Sequence, residues 1–113
     1  MTYRNPAYLA LARGKPCVGC GAQDGTVVAA HYCGMGADQL GRGASQKPHD
    51  FCVAFLCSRC HARFDAYETA NSYPRSRDFA LYCLKSLALV LETGEVEIVP
   101  VAGQGERDDP KAS

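Results

Sequence analysis

Four of the seven cysteines fall in two CxxC pairs, Cys17/Cys20 and Cys57/Cys60. Four thiolates form a complete tetrahedral ligand set for zinc, and a set with no open position holds its ion for structure. An odd cysteine count with no export signal speaks against a disulfide scaffold, and paired CxxC spacing in a reducing compartment favours a metal. The 36 residues between the pairs are more than a simple zinc ribbon needs, and a long loop accounts for the excess. CSRCH, residues 57–61, also matches the attachment pattern of haem c. That haem is attached outside the cytoplasm, and the only methionines that could serve as a distal ligand, Met1 and Met35, lie upstream of the motif. A short motif stands only when its context agrees.

A second chemistry is written beside the second pair. His61 follows the last of the four cysteines and Asp65 lies four residues on. On a helix starting at the knuckle both side chains project from one face. An imidazole with a carboxylate suits a divalent ion such as Mg, Mn, Ni or Zn, with waters completing the shell. His31 ends an apolar run and precedes a glycine-rich stretch. A histidine near a metal-bound phosphate can take a proton from water, which is what phosphodiester hydrolysis needs besides a cation for the developing charge. The plainer roles are a hydrogen-bonded structural histidine at a strand end and an aspartate that favours a helix dipole.

The elements that position these residues can be read coarsely. Asn5-Pro6 ahead of AYLALAR and Gly14 predicts a short helix, with Asn as N-cap, Pro first and Gly as the stop. TVVAAH (26–31) and FCVAFL (51–56) predict two strands, antiparallel, so that the two knuckles meet. Residues 32–50 carry four glycines and a proline and predict a long, mobile, functional loop. HARFDAYETA predicts a helix uninterrupted until Pro74, and Arg75 to Glu92 a longer one stopped by Gly94. The polar stripe of that second helix is narrow (Asp78, Lys85, Glu92), so it is expected to be nearly all buried or to pack against a second copy. EVEIVPV suggests a final edge strand and GQGERDDPKAS an acidic, disordered tail. This divides the chain into one domain over 1–94, with a core over 14–70 and a helical extension over 75–92, followed by 95–113.

Composition sets limits on function. Net charge is zero, yet residues 1–91 hold ten Lys/Arg against six Asp/Glu, and 92–113 hold two against six. A mildly basic body permits phosphate binding without demanding it. Phe79 to Leu91 is the most apolar segment, too short for a membrane span and interrupted by Lys85, so no membrane is expected. The apolar part of MTYRNPAYLALARGKP is too short for a signal peptide, so the expected location is the cytoplasm.

Two resemblances bear on these motifs. CVGCG resembles a rubredoxin knuckle, which would put iron in the same four-thiolate site and make the chain an electron carrier; CSRCHARFD lacks that resemblance. The layout of zinc knuckle, strand ending in His, long loop, strand, CxxCH and helix resembles HNH endonucleases, the His-Me finger or ββα-metal group. More narrowly, AHYCGMG…GRG…KPHD…LCSRCHARFD is similar to small phage- and prophage-encoded HNH nucleases, and more loosely to phage nucleases that enhance recombination. The similarity covers about residues 14–70. It implies a small α+β fold, a zinc-stapled ββα-metal core flanked by N- and C-terminal helices, in a bacterial host cell, with DNA as substrate and a recombination or replication protein as a conceivable partner. It implies His31 as general base, His61 as ligand of a catalytic divalent metal, and Asp65 where some members place a second ligand. Many members carry an acidic residue or His just before the base, where this chain has Ala30. The middle Asn that braces the loop has no Asn counterpart, and His49 and Asp50 are the nearest polar candidates, as loop brace or alternative base. Arg42, Lys47, Arg59 and Arg63 are the basic residues near the site that could meet DNA phosphates. A non-catalytic zinc module binding nucleic acid or protein is the competing reading.

Overall fold

A computed structural model describes residues 2–101. The acidic tail expected at the end of the chain falls, from residue 102 on, outside the described residues. The elements run α1 (Pro6–Ala10), β1 (Val28–His31), a 3₁₀ turn (Ala37–Leu40), β2 (Val53–Leu56), α2 (Ser58–Arg63), α3 (Ala66–Ala70) and α4 (Tyr73–Thr93). The fold is a small α+β unit with a two-stranded antiparallel sheet.

The hairpin follows from its sequence. Val28 pairs with Leu56 and His31 with Val53, and Tyr32 N–H continues the ladder to the Cys52 carbonyl at 2.9 Å. Both strands are shorter than the apolar runs predicted, because residues 26–27 and 51–52 lead into turns. All four side chains of β2 are buried, covered on one side by α4. Its outer edge is not left open. Ser86 Oγ of α4 accepts from Phe55 N–H at 2.9 Å, and Val18 N–H of the first knuckle donates to the Phe55 carbonyl at 2.9 Å. A buried peptide group without such partners would be destabilising by about 1–3 kcal/mol. The core cluster is built on Phe55, Leu56, Phe79 and Val90, with Phe64 stacked on Phe79 at 4.6 Å between ring centroids.

Capping explains the helix ends. Asn5 Oδ1 accepts from Tyr8 N–H, with Pro6 opening α1, as its sequence predicts. Ser72 caps α4, Pro74 sits in its first turn, and Gly94 ends it at φ 83°.

Three expectations need correction. The helix predicted from His61 to Pro74 is broken: α2 ends at Arg63, and Asp65 caps a new helix, its Oδ1 accepting from Tyr67 N–H at 3.0 Å. The break turns Phe64 into the core, against Phe79 and Tyr82. Residues 95–101 form no strand, since the outer edge of β2 is already satisfied by Ser86 and Val18. That segment leaves α4 through Val96 N–H to the Val90 carbonyl and an ion pair between Lys15 and Glu95 at 2.8 Å. Finally, of the two alternatives read from the narrow polar stripe of α4, burial all round by its own chain does not hold: Ser76, Phe79, Cys83, Ser86 and Val90 face inward, while Leu81 and Leu84 stand exposed. No described helix is long and apolar enough to cross a membrane.

Candidate functional site

The hairpin brings the two CxxC pairs together. Among the described residues, Cys17, Cys20, Cys57 and Cys60 are the one set of three or more His, Cys, Asp or Glu side chains whose ligand atoms all lie within 4.8 Å of one another. The sulfurs of Cys20 and Cys57 are 3.7 Å apart. A tetrahedral ion with Zn–S bonds of about 2.3 Å places sulfurs about 3.8 Å apart, so the set fits a structural metal such as zinc. The cysteines are free thiols, too far apart at this distance for a disulfide. The thiols differ in electrostatic environment. Burial and the neighbouring thiols push Cys60 up to about 12. Burial also acts against ionisation of Cys17, yet backbone N–H groups and the Cys60 thiol bring it down to about 6. Gly19 N–H donates to Cys17 Sγ at 3.3 Å, and a β-carbon at Gly19 would stand 3.2 Å from Cys60 Sγ, which explains glycine there. Pairing of the knuckles also commits Cys57 and Cys60 to this centre and not to a haem.

A cleft of about 470 Å³ opens beside the strand end. Ala30, His31, Tyr32 and Cys33 form one wall, residues 42–48 of the loop another, and His61 of α2 contributes from the second knuckle. His31 is held by a specific partner. Its Nε2 lies 2.8 Å from Asp50 Oδ1. Asp50 is buried, and burial works against its charge, but hydrogen bonds from His31, the Asn5 N–H and Arg4 hold its carboxyl below the usual range. An ionised carboxylate only accepts, so Nε2 carries a proton, and Nδ1 keeps a lone pair whenever the ring is neutral. Arg4 Nη1 donates to Asp50 Oδ1 at 2.9 Å and to the Pro48 carbonyl at 2.6 Å, while Nη2 donates to the Lys47 carbonyl at 2.6 Å. Asn5 N–H donates to Asp50 Oδ2 at 2.6 Å.

The other sequence-predicted residues separate by position. His61 is exposed and lines the cleft, and so do Arg42 and Lys47. Arg59 and Arg63 do not line it. Asp65 is absent from the cleft lining and spends its carboxylate on the α3 cap, though it lies near enough to Cys33 to help raise that thiol, chiefly raised by burial. His61 and Asp65 therefore do not share one helix face. His49 is turned away from the cleft: its Nδ1 accepts from Tyr3 N–H at 2.9 Å and its ring stacks on Phe51 at 5.3 Å. Of the two candidate loop braces, Asp50 is the one that meets His31. Sequence reasoning missed Arg4 altogether, since no local pattern links residues 46 positions apart.

The fold and the site define a class: a small α+β chain with a four-cysteine cluster that could hold a structural metal, beside a histidine-lined, basic-rimmed cleft. Residues 1–74, about two thirds of the chain, match the family DUF968, described as a protein of unknown function, and the chain belongs to that family. Neither a curated protein nor a solved structure matches it.

Proposed function

We propose that this chain is a divalent-metal-dependent endonuclease of the HNH, or His-Me finger, type, hydrolysing DNA phosphodiester bonds in the cytoplasm of a bacterial cell that hosts a phage or prophage. The observation that carries the reading is His31 on the cleft wall with Nε2 committed to a buried carboxylate. Its Nδ1 is then the nitrogen available to take a proton from water as that water's oxygen attacks phosphorus. The products are a phosphomonoester and a free hydroxyl. Arg42 and Lys47, which also line the cleft, position phosphates and carry little sequence information. His61 is the residue that would hold a divalent ion, with water and substrate oxygens completing its shell; Asp65, which caps α3 through Oδ1 and lies outside the cleft lining, is not placed to share it. Such an ion, when bound, supplies charge neutralisation at the phosphate and the leaving oxygen.

A specific observation favours a second reading, a zinc module that binds nucleic acid without cutting it. Outside the four cysteines no three-ligand cluster is assembled among the described residues, and Ala30 offers no ligand before His31. Supercoiled plasmid incubated with the purified chain and Mg, Mn or Ni separates the two. Nicking that depends on the ion and falls in His61→Ala supports the endonuclease; DNA binding without nicking under any ion supports the module.

A further inference from the structure

The contacts of Arg4 are unusual for a residue so near the start of the described chain. Its guanidinium makes three hydrogen bonds, two to main-chain carbonyls at the end of the cleft loop and one to the carboxylate oxygen that also takes the His31 proton. The flanking backbone reinforces it. Asp50 N–H donates to the Tyr3 carbonyl at 2.9 Å, Tyr3 N–H donates to His49 Nδ1 at 2.9 Å, and Asn5 N–H takes the second Asp50 oxygen. Residues 3–5 thus form a strap across residues 47–50, the segment whose Asp50 holds His31, while Asn5 also caps α1. Arg4 is exposed and outside the cleft lining, and its guanidinium is committed to these three hydrogen bonds.

We propose that Arg4 is a positioning residue for His31, acting through Asp50. The planar fork of the guanidinium fixes where the Asp50 carboxylate lies, and the carboxylate fixes which ring nitrogen of His31 carries the proton. Lysine at this position keeps the charge but has no fork with which to join two carbonyls and a carboxylate. The idea rests on the endonuclease reading for its use in catalysis, but the positioning itself can be read without DNA.

The test uses the full, zinc-loaded chain with nitrogen-15-labelled histidine. Imidazole shifts report the tautomer, and only His31, His49 and His61 contribute. In the parent, His31 should show a single Nε2–H tautomer. Asp50→Ala should convert it to a mixture, and Arg4→Gln should move it in the same direction, with Arg4→Lys between Gln and the parent. If the parent cuts DNA, Arg4→Gln should lower kcat about tenfold or more with KM for DNA unchanged, and should add little in an Asp50→Ala background. Parent-like His31 shifts in both Arg4 variants, alongside a response to Asp50→Ala, would overturn the role of Arg4. Should Arg4→Gln fail to fold, Arg4→Lys carries the same comparison. A parent that shows the tautomer pattern and never cuts DNA would remove the endonuclease reading and leave the positioning intact.

Discussion

At the residue scale, the pairing of His31 with Asp50 decides what the cleft can do. His31 and His61 were legible in the sequence as types at a spacing, and both reach the cleft. Their partners were not, because the ties from Arg4 and Asn5 to Asp50 are tertiary and leave no local pattern. Asp65 shows the converse: its spacing to His61 was correct for one helix face, and the local competition of an aspartate for a cap won. Two predictions belong here. Asp50 has a depressed folded value, so the stability it contributes is present above its ordinary 3.8 and is lost as pH falls through the folded value. Unfolding of the parent and of Asp50→Asn followed from pH 7 to 2 should show a gap that closes in acid; a gap that widens there would contradict the assigned charge. Among the basic residues, Lys47→Ala or Arg42→Ala should each reduce the slope of log affinity for DNA against log salt by about one, with smaller changes for Arg59→Ala and Arg63→Ala. Equal slopes for all four would mean that the cleft is not where phosphates bind.

At the element scale, the hairpin and its knuckles were readable from β-branched runs and CxxC spacing, and α4 from its apolar run and Gly94, while the Ser72 cap and the place of Pro74 inside its first turn were not. Less readable was how β2 is closed. Ser86 looked like one more residue of an apolar helix, yet it is fully buried and supplies the acceptor for Phe55 N–H. Ser86→Ala should therefore cost about 1–3 kcal/mol in denaturant unfolding, more than a buried hydroxyl of no consequence would. The 32–50 loop was expected to be the most mobile interior segment, and it is tied at both ends. Met35 N–H donates to Ser76 Oγ, a β-carbon on Gly34 would lie 2.6 Å from Tyr32 Oη, and Arg4 holds Lys47 and Pro48. Hydrogen exchange should find protection around 32–40 and 48–50 and the fastest exchange over 42–46. Uniformly fast exchange across 32–50 would restore the simpler expectation.

At the scale of the whole molecule, a 113-residue chain with a two-stranded sheet has a modest core, and a metal held by the four cysteines would join the N-terminal knuckle to the hairpin. Removing the metal should unfold the chain cooperatively, with recovery on adding zinc back, as followed by circular dichroism. An apo-chain as stable as the parent would show the four cysteines to be ordinary core residues. The exposed part of α4 and the apolar Ile98, Val99 and Val101 mark where length and composition said least, since an apolar residue in a sequence does not say whether its own chain covers it. The central claim, that His31 is a general base held by Asp50, is met most directly by one comparison. Parent and His31→Ala, both with full metal content and equal affinity for the same plasmid, are assayed for cleavage under single turnover. The account predicts a loss of roughly 10²–10⁴-fold in His31→Ala; metal-dependent cleavage at the parent rate would contradict it.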